Sequence, residues 1–534
     1  MSLSGFIHRA FAYLWVLAWM LPGRDTMAAT IIAGPDESGF RAAIATAQDE
    51  DTVLLTNNFQ LRSSVTINKR ITITVDPVQA WRTWIEGGFN GALLNLSTNG
   101  IVLDGLRLYG SPQTDALRAE GVTVTIRDGM IAGCRRPVAS DIQGADLCLE
   151  RVTVSVNQEG ISAQSLQATN CIFSDNMGWS GVGAWSVELD DCVIENTHGI
   201  GLGLINGSVK NCVFRYNTGI GLYFDPDNGY LCLSSSLFYA NGGGGIYLRE
   251  GAYATIDNCT FTRHTGPPAI VVDEVHDILF RHCTVSDNVA IGGTASFLIL
   301  YGDRTRLENC LVADNPNGED PDASGLVGGF VDGGGNVIGG PANLSPLRDN
   351  GGPTLSLQPL PGSPAIDAGQ PSDVVADARG LSRLAGDAPD AGAIETDAGP
   401  VADTDADGIP DIWEDLHGLN PDNPADALSD SDGDGQNARA EFGSGTDPAN
   451  GQSAHRTEEL IVGSMSIYQT YPKWGYLTWT RHPGVFYYVE ASNDLHTWRR
   501  LPDTAQPGGS TIWHSLGLIE ANFPNTFYRV VAKK

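Results

Sequence analysis

Ala168-Thr-Asn-Cys171-Ile-Phe173, Val209-Lys-Asn-Cys212-Val-Phe214 and Leu307-Glu-Asn-Cys310-Leu-Val312 are one phrase written three times. It reads apolar, two polar residues, a small residue or Cys, any residue, apolar. Asn follows three positions later, at Asn176, Asn217 and Asn315. The phrase recurs about ten times between Leu103 and Asn315. Its Cys-or-small position falls at Leu106, Gly129, Val152, Cys171, Cys192, Cys212, Ser236, Cys259, Cys283 and Cys310. Two residues on, every copy is apolar, from Leu108 and Ile131 through Phe173, Ile194, Phe214, Phe238 and Phe261 to Val312. Three residues before, every copy is apolar again. A pair at i and i+2 is strand periodicity. The break in alternation between the two apolar positions marks a bend between strands. A third short strand follows each turn, as in Gly199-Ile-Gly-Leu202, Gly219-Ile-Gly-Leu222 and Gly245-Ile-Tyr-Leu248.

Short β phrases at a period of about 20–27 residues imply a solenoid, since no single unit can bury its own apolar face. Three strands per turn, stacked like on like at about 4.8 Å, describe a parallel β-helix of about ten or more coils. The pattern resembles the right-handed parallel β-helix family, with Cys largely replacing Asn at the inward position. A second column, Asn157, Asn176, Asn217, Asn241, Asn288 and Asn315, falls at a turn. Asn tolerates left-handed backbone there, and its amides can bond along the stack. Cys134 and His264 occupy the same position in two coils. The expected class is all-β: the helix, a capping α-helix over Ser38–Ala47 at its open end, a short calcium-loop segment and a small β-sandwich.

The first 29 residues read as a signal peptide, with His8 and Arg9 before an apolar run and small residues at Ala28 and Ala29 for cleavage. An uncleaved interfacial anchor is the alternative. No later run is long enough to span a membrane. The expectation is an exported chain, secreted or at the cell surface, and monomeric. Six of nine Cys sit in the inward column. In-register parallel side chains suit disulfide geometry poorly, so buried thiols are expected, with Cys148 and Cys232 facing outward. A net charge of −31 argues against nucleic acid.

Residues 396–450 hold 14 acidic groups and one basic one, Arg439. Such a block is either a repelling linker or a cation site. Its spacing favours the cation. Asp403, Asp405, Asp407, Ile409, Asp411 and Glu414 match the twelve-residue calcium loop, as do Asp430, Asp432, Asp434, Gln436 and Glu441. Carboxylates on alternate residues converge, Gly408 or Gly435 permits the sharp turn, Ile409 or Gln436 offers a backbone carbonyl, and the final Glu closes the shell. The segment resembles thrombospondin type 3 repeats and dockerin loops. The dockerin resemblance implies a cohesin partner. Extracellular modules of this kind bind calcium at roughly 10⁻⁴–10⁻³ M.

Between residues 349 and 395, phrases such as Asp349-Asn-Gly-Gly-Pro-Thr354 and Leu360-Pro-Gly-Ser-Pro-Ala-Ile-Asp367 are neither periodic nor random. With the helix-first start they resemble exported bacterial β-helix proteins of the choice-of-anchor Q type over residues 30–395. That resemblance implies surface association and supplies no catalytic residues. Residues 456–534 alternate aromatic and polar positions and read as a β-sandwich. Its Trp474, Trp479, Trp498 and Trp513 suit either a core or sugar stacking.

Solenoids of this type host polysaccharide lyases and hydrolases, an analogy of fold alone. Asp225, Asp227, Tyr223 and Tyr230, with Arg263, His264, Arg281 and His282 on later rungs, are the candidates for a lyase or glycosidase groove. Ordinary turn and surface positions are the competing reading. No Ser-His-Asp or P-loop spacing stands out, and no catalytic set is assigned. The favoured expectation is a non-catalytic scaffold that interacts with an extracellular polysaccharide or another cell-surface component.

Overall fold

The computed structural model describes residues 28–396 apart from 77–82, 141–143, 227–228, 250, 274–276, 291–295, 301–303, 317–324 and 384. It also describes scattered positions between 404 and 448, and six strands beyond residue 456. Residues 28–340 wind into a right-handed parallel β-helix. One 13-stranded sheet takes single short strands from successive coils, and a 19-stranded sheet takes most of the others. A four-stranded sheet (Val65–Ile67, Gly91–Leu96, Thr114–Ala119 and Val138–Ala139) and a two-stranded one (Thr265–Gly266 and Val289–Ala290) take the rest.

The register follows the repeated phrase. Phe173 pairs with Ile194, Ile194 with Phe214, Phe214 with Phe238, and Phe238 with Phe261. All five are fully buried in one continuous core. The rings of Phe214 and Phe238 stack at 4.7 Å and 3°, those of Phe238 and Phe261 at 4.8 Å and 10°. Each coil alone would leave its ring exposed, so burial comes from the neighbour.

Cys171, Cys192, Cys212, Cys259, Cys283 and Cys310 are buried and free, while Cys148 is half-buried and Cys232 exposed. Burial holds the Cys192, Cys283 and Cys310 thiols well above the ordinary range. At the other corner, Asn157 donates through Nδ2 to Asn176 Oδ1 at 2.9 Å, Asn217 to Asn241 at 2.9 Å, and Asn288 to Asn315 at 3.0 Å. Cys134 and His264 stand in this column, each donating its backbone N–H to the next Asn.

The left-handed residues are not these Asn, which corrects the expectation from sequence. They come one position earlier, at Val156, Asp175, Asn196, Tyr216, Ala240, Arg263, Asp287 and Asp314, with φ between 50° and 59°. A second left-handed set precedes the Cys column, among them Asn170, Asp191, Asn211, Asn258 and His282. The chain turns on the residue before, so the Asn side chain is free to point inward and bond.

A helix over Glu37–Thr46 closes the open end, with Asp36 Oδ1 accepting from Gly39 N at 2.9 Å. Phe40, Ala43 and Ile44 pack onto the first coils, and Phe40 meets Phe59 at 5.1 Å.

The non-periodic flank after residue 340 runs back along the outside of the 13-stranded sheet. Its Leu347 and Leu355 pack on Ile172, Val193, Val213 and Leu237, the outward residues that directly follow the Cys-or-small position. Ala342, Ala365 and Ala391 cover Leu311 and Ala313. The flank is pinned by Arg383, wholly buried, which donates to Asn258 Oδ1 at 2.7 Å and to the carbonyls of Gly392 and Ala393. Its partner Glu395 lies 3.8 Å away. Burial lowers the guanidinium to about 10 and raises the carboxyl to about 7. Both shifts oppose the charged forms, so desolvation outweighs the pair's mutual attraction and the hydrogen bonds hold the flank in place.

Beyond residue 456, Thr457–Gly463, Trp474–Trp479 and Ile512–Leu518 form one antiparallel sheet, and Phe486–Ser492, Arg499–Arg500 and Phe527–Lys533 another. Residues 1–27 of the signal peptide expected over 1–29 lie outside the described residues. Ala29 is already in the fold, donating to Asp51 Oδ1 at 2.7 Å. Among the described residues no helix is long and apolar enough to cross a membrane.

Candidate functional site

The groove residues expected from sequence do not converge. Asp225 accepts from Arg249 Nη1 at 2.8 Å and faces Tyr223, whose hydroxyl lies 3.4 Å away. Arg263 sits on the Asn corner and pairs with Asp287 at 3.0 Å. His264 is buried inside the Asn column, where desolvation lowers it to about 4. Arg281 lies at the opposite corner, held by both oxygens of Asp257 at 2.8 and 2.7 Å and by Asp373 of the flank. His282 is buried beside it, near Ser372 Oγ at 2.9 Å and Asn309 Nδ2 at 3.0 Å. Burial first, and then the Arg383 and Arg281 charges, lower it to about 3. Asp227 lies outside the described residues. Residues adjacent in sequence diverge wherever the chain turns a corner, and that scatters this set.

A different surface carries polar and aromatic groups together. In three successive coils the two outer strands merge into single runs, Ile161–Thr169, Ser180–Asp190 and Ile200–Lys210. No insertion interrupts them. In the next coils Leu222–Phe224 and Tyr230–Ser234, then Ile246–Leu248 and Tyr253–Asp257, are separate strands joined by a connecting segment. The outer side of this sheet forms a trough. One rim carries Trp185, Tyr230 and Tyr253, which are 61%, 50% and 36% exposed. The floor is polar: Glu188, Ser208 and Thr255 face outward in one column, and Ser186 and Asn206 continue the Tyr230 column below the rings, with Val187, Leu189 and Val209 facing inward between them. Gln167 Nε2 donates to Glu188 at 3.0 Å across two rungs.

The opposite rim is a groove of about 760 Å³ between the coils and the flank. Thr169, Asp190, Lys210, Ser234, Asp257 and Arg281 line it in register from rung to rung, and Pro353, Asp373 and Arg379 form the wall. Five carboxylates (Asp190, Asp191, Asp257, Asp373 and Asp377) outnumber three cations (Lys210, Arg281 and Arg379).

In the acidic segment, Asp405, Asp407 and Glu414 each bring a carboxylate oxygen within 4.8 Å of the other two. Asp407 and Glu414 are buried. Asp407 N donates to Asp405 Oδ1 at 3.2 Å and Ile409 N to Asp407 Oδ1 at 2.8 Å, which folds the loop tightly. Three carboxylates this close repel one another unless a cation or protons neutralise them. In the second loop Asp430 Oδ1 accepts from Gly433 N at 2.9 Å, and Glu441 is buried on the helix Ala438–Ser444. Asp432 and Gln436 are half-buried. Ile409, Ala427 and Ala438 form an apolar cluster that joins the two loops. Asp403, Asp411 and Asp434 lie outside the described residues.

A family model described as "Right handed beta helix region" matches residues 180–340. No curated protein sequence matches the chain. Among solved structures, pectate lyase Pel9A is 13% identical with a TM-score of 0.36, covering 70% of this chain and 97% of its own. The PL6 family alginate lyase AlyGC is also 13% identical, with a TM-score of 0.37, covering 62% of this chain and 55% of its own. An alginate lyase from Paenibacillus sp. str. FPU-7 is 10% identical with a TM-score of 0.29, covering 52% and 99%. These likenesses concern the winding of the chain. Its chemistry has to come from its own residues.

Proposed function

We propose that this chain is an exported scaffold whose β-helix presents the trough to a polysaccharide outside the cell. One observation carries the reading: solvent-exposed Tyr230 and Tyr253 share one column, and exposed Trp185 stands one residue to its side two rungs below Tyr230, beside a floor of hydroxyl, amide and carboxylate side chains. Exposed aromatic rings present apolar faces that match the C–H faces of sugar rings, while planar amides and carboxylates bond vicinal hydroxyls. The arginines near the trough are tied to carboxylates: Arg249 to Asp225, Arg281 to Asp257 and Asp373, Arg379 to Asp377. A lyase would use such cations to neutralise a substrate acid. Here they serve the protein, which favours binding over cleavage.

The acidic segment is proposed to take calcium in both loops. Asp405, Asp407 and Glu414 would hold the first ion, with the Ile409 carbonyl. Asp430, Asp432, Gln436 and Glu441 would hold the second. The segment then acts as a strut between the solenoid and the C-terminal strands.

The test is a glycan array probed with the purified chain, with and without chelator, followed by incubation of any bound polymer with the protein. Retention of intact polymer supports the scaffold reading. Release of unsaturated or reducing ends would replace it with a lyase or hydrolase, and an array with no binder would remove it.

A further inference from the structure

We infer that the trough takes a neutral, extended, 1,4-linked pyranose chain laid along the solenoid axis, with Trp185 and Tyr230 stacking on every second ring. This rests on the polysaccharide-binding reading above. Ser186 pairs with Asn206, and Tyr230 N donates to Asn206 Oδ1 at 3.1 Å, so three rungs run in line. Trp185, one residue before Ser186, therefore stands two rungs below Tyr230, about 10 Å along the axis at a rung step of ~4.8 Å. In an extended 1,4-linked chain with alternately flipped rings, every second ring shows the same face. Two ring lengths correspond closely to two rungs. Few other linear polymers repeat an apolar face at that interval.

The rim is prepared for contact. The Tyr230 hydroxyl meets Thr255 Oγ1 at 3.1 Å, and Tyr253 pairs with Tyr230 on the next rung, so both rings have fixed neighbours. In a separate column, below Tyr223, the surface is low. Gly203 has nothing within 4 Å of where a Cβ would stand, and Gly183 pairs with it one rung away. That leaves a shelf beside Trp185 on which a ring can lie flat. Charge selects against acidic polymers. The far rim has five carboxylates to three cations, Glu188 faces outward from the floor, and the whole chain carries −31. A uronate or sulfate chain would be repelled along its length.

The experiment is calorimetric titration of the full chain, in calcium, with cellohexaose, mannohexaose, maltohexaose and a hexameric mannuronate. Trp185→Ala, Tyr230→Ala and Tyr230→Phe variants are titrated in parallel. The expected result is binding of one of the two β-1,4-linked neutral hexamers, with affinity in that series rising steeply from the dimer to the trimer as the second stacked ring is added. Each Ala variant should lose about tenfold in affinity, and Tyr230→Phe should lose little. Trp185 is exposed, so circular dichroism of its Ala variant should match the parent. Preference for mannuronate or for the coiled α-1,4 glucan would overturn this inference and leave the polysaccharide reading standing. Binding untouched by either Ala variant would move the site elsewhere. No binding to any hexamer, together with an empty array, would remove both readings.

Discussion

The two outward faces of the solenoid are built from strands of the same coils and end differently. On the 13-stranded sheet the outward residues Ile172, Val193, Val213 and Leu237 are apolar, and a 55-residue flank returns to cover them. On the long-stranded sheet the outward residues of the same coils are Gln167, Glu188, Ser208 and Cys232, and the described chain leaves them open. The inward residues cannot tell these faces apart, since both sheets contribute to one core. The outward positions decide which side is lidded and which is left open.

That contrast can be broken by moving one charge. Val213→Asp places a carboxylate under the flank with no partner and should cost roughly 3 kcal/mol or more. Ser186→Asp, on the open face of the preceding coil, should stay within about 0.5 kcal/mol. Equal losses in urea unfolding would mean that the flank does not seal the first face. Next in size, Asn217→Ala removes the amide that joins Ile194 O and Asn241 Oδ1 and leaves the Thr197 N–H without its acceptor. It should cost about 1–3 kcal/mol by the same measurement.

The pH dependence follows from two histidines buried on the covered side and its corner. His264 and His282 are lowered to about 4 and about 3 from 6.5, chiefly by burial. Between those values and 6.5 the unfolded chain binds the extra protons, so their contribution is complete above 6.5 and drains away as pH falls. Thermal unfolding should show the midpoint falling from pH 6.5 toward 4. His264→Asn, which restores the column between Asn241 and Asn288, should flatten that limb. An unchanged slope would place the acid sensitivity elsewhere. The smallest effect is a gain. Val156 is β-branched, exposed and left-handed at φ 57°, so Val156→Asn should stabilise by about 1 kcal/mol.

The inward columns were legible because they repeat, and repetition survives without knowledge of the third dimension. Phe173, Ile194 and Phe214 could be placed over one another from spacing alone. The left-handed corners were misplaced by one residue, because Asn at φ > 0 is a common pattern and an Asn column invites it. The cover was legible only in hindsight. The residue after each Cys was read as variable, although Ile, Val, Val and Leu there signal a second buried side. Trp185 escaped because it lies at a bend where two successive residues face out, outside any repeated phrase. The acidic loops stood out through composition and spacing, and Asp405, Asp407 and Glu414 do draw together, while calcium in them is the proposal. Arg263 and Arg281 were grouped on rung proximity, which says nothing about which corner each one occupies.

The column of sulfur atoms gives the molecule a built-in reporter of its own opening. A thiol-reactive dye or an oxidant finds Cys232 at once, whereas Cys171, Cys192 and Cys212 lie behind closed walls, as do Cys259, Cys283 and Cys310. Each reacts only while its coil is ajar. The order in which the six become modified would therefore record, winding by winding, from which end the cylinder frays.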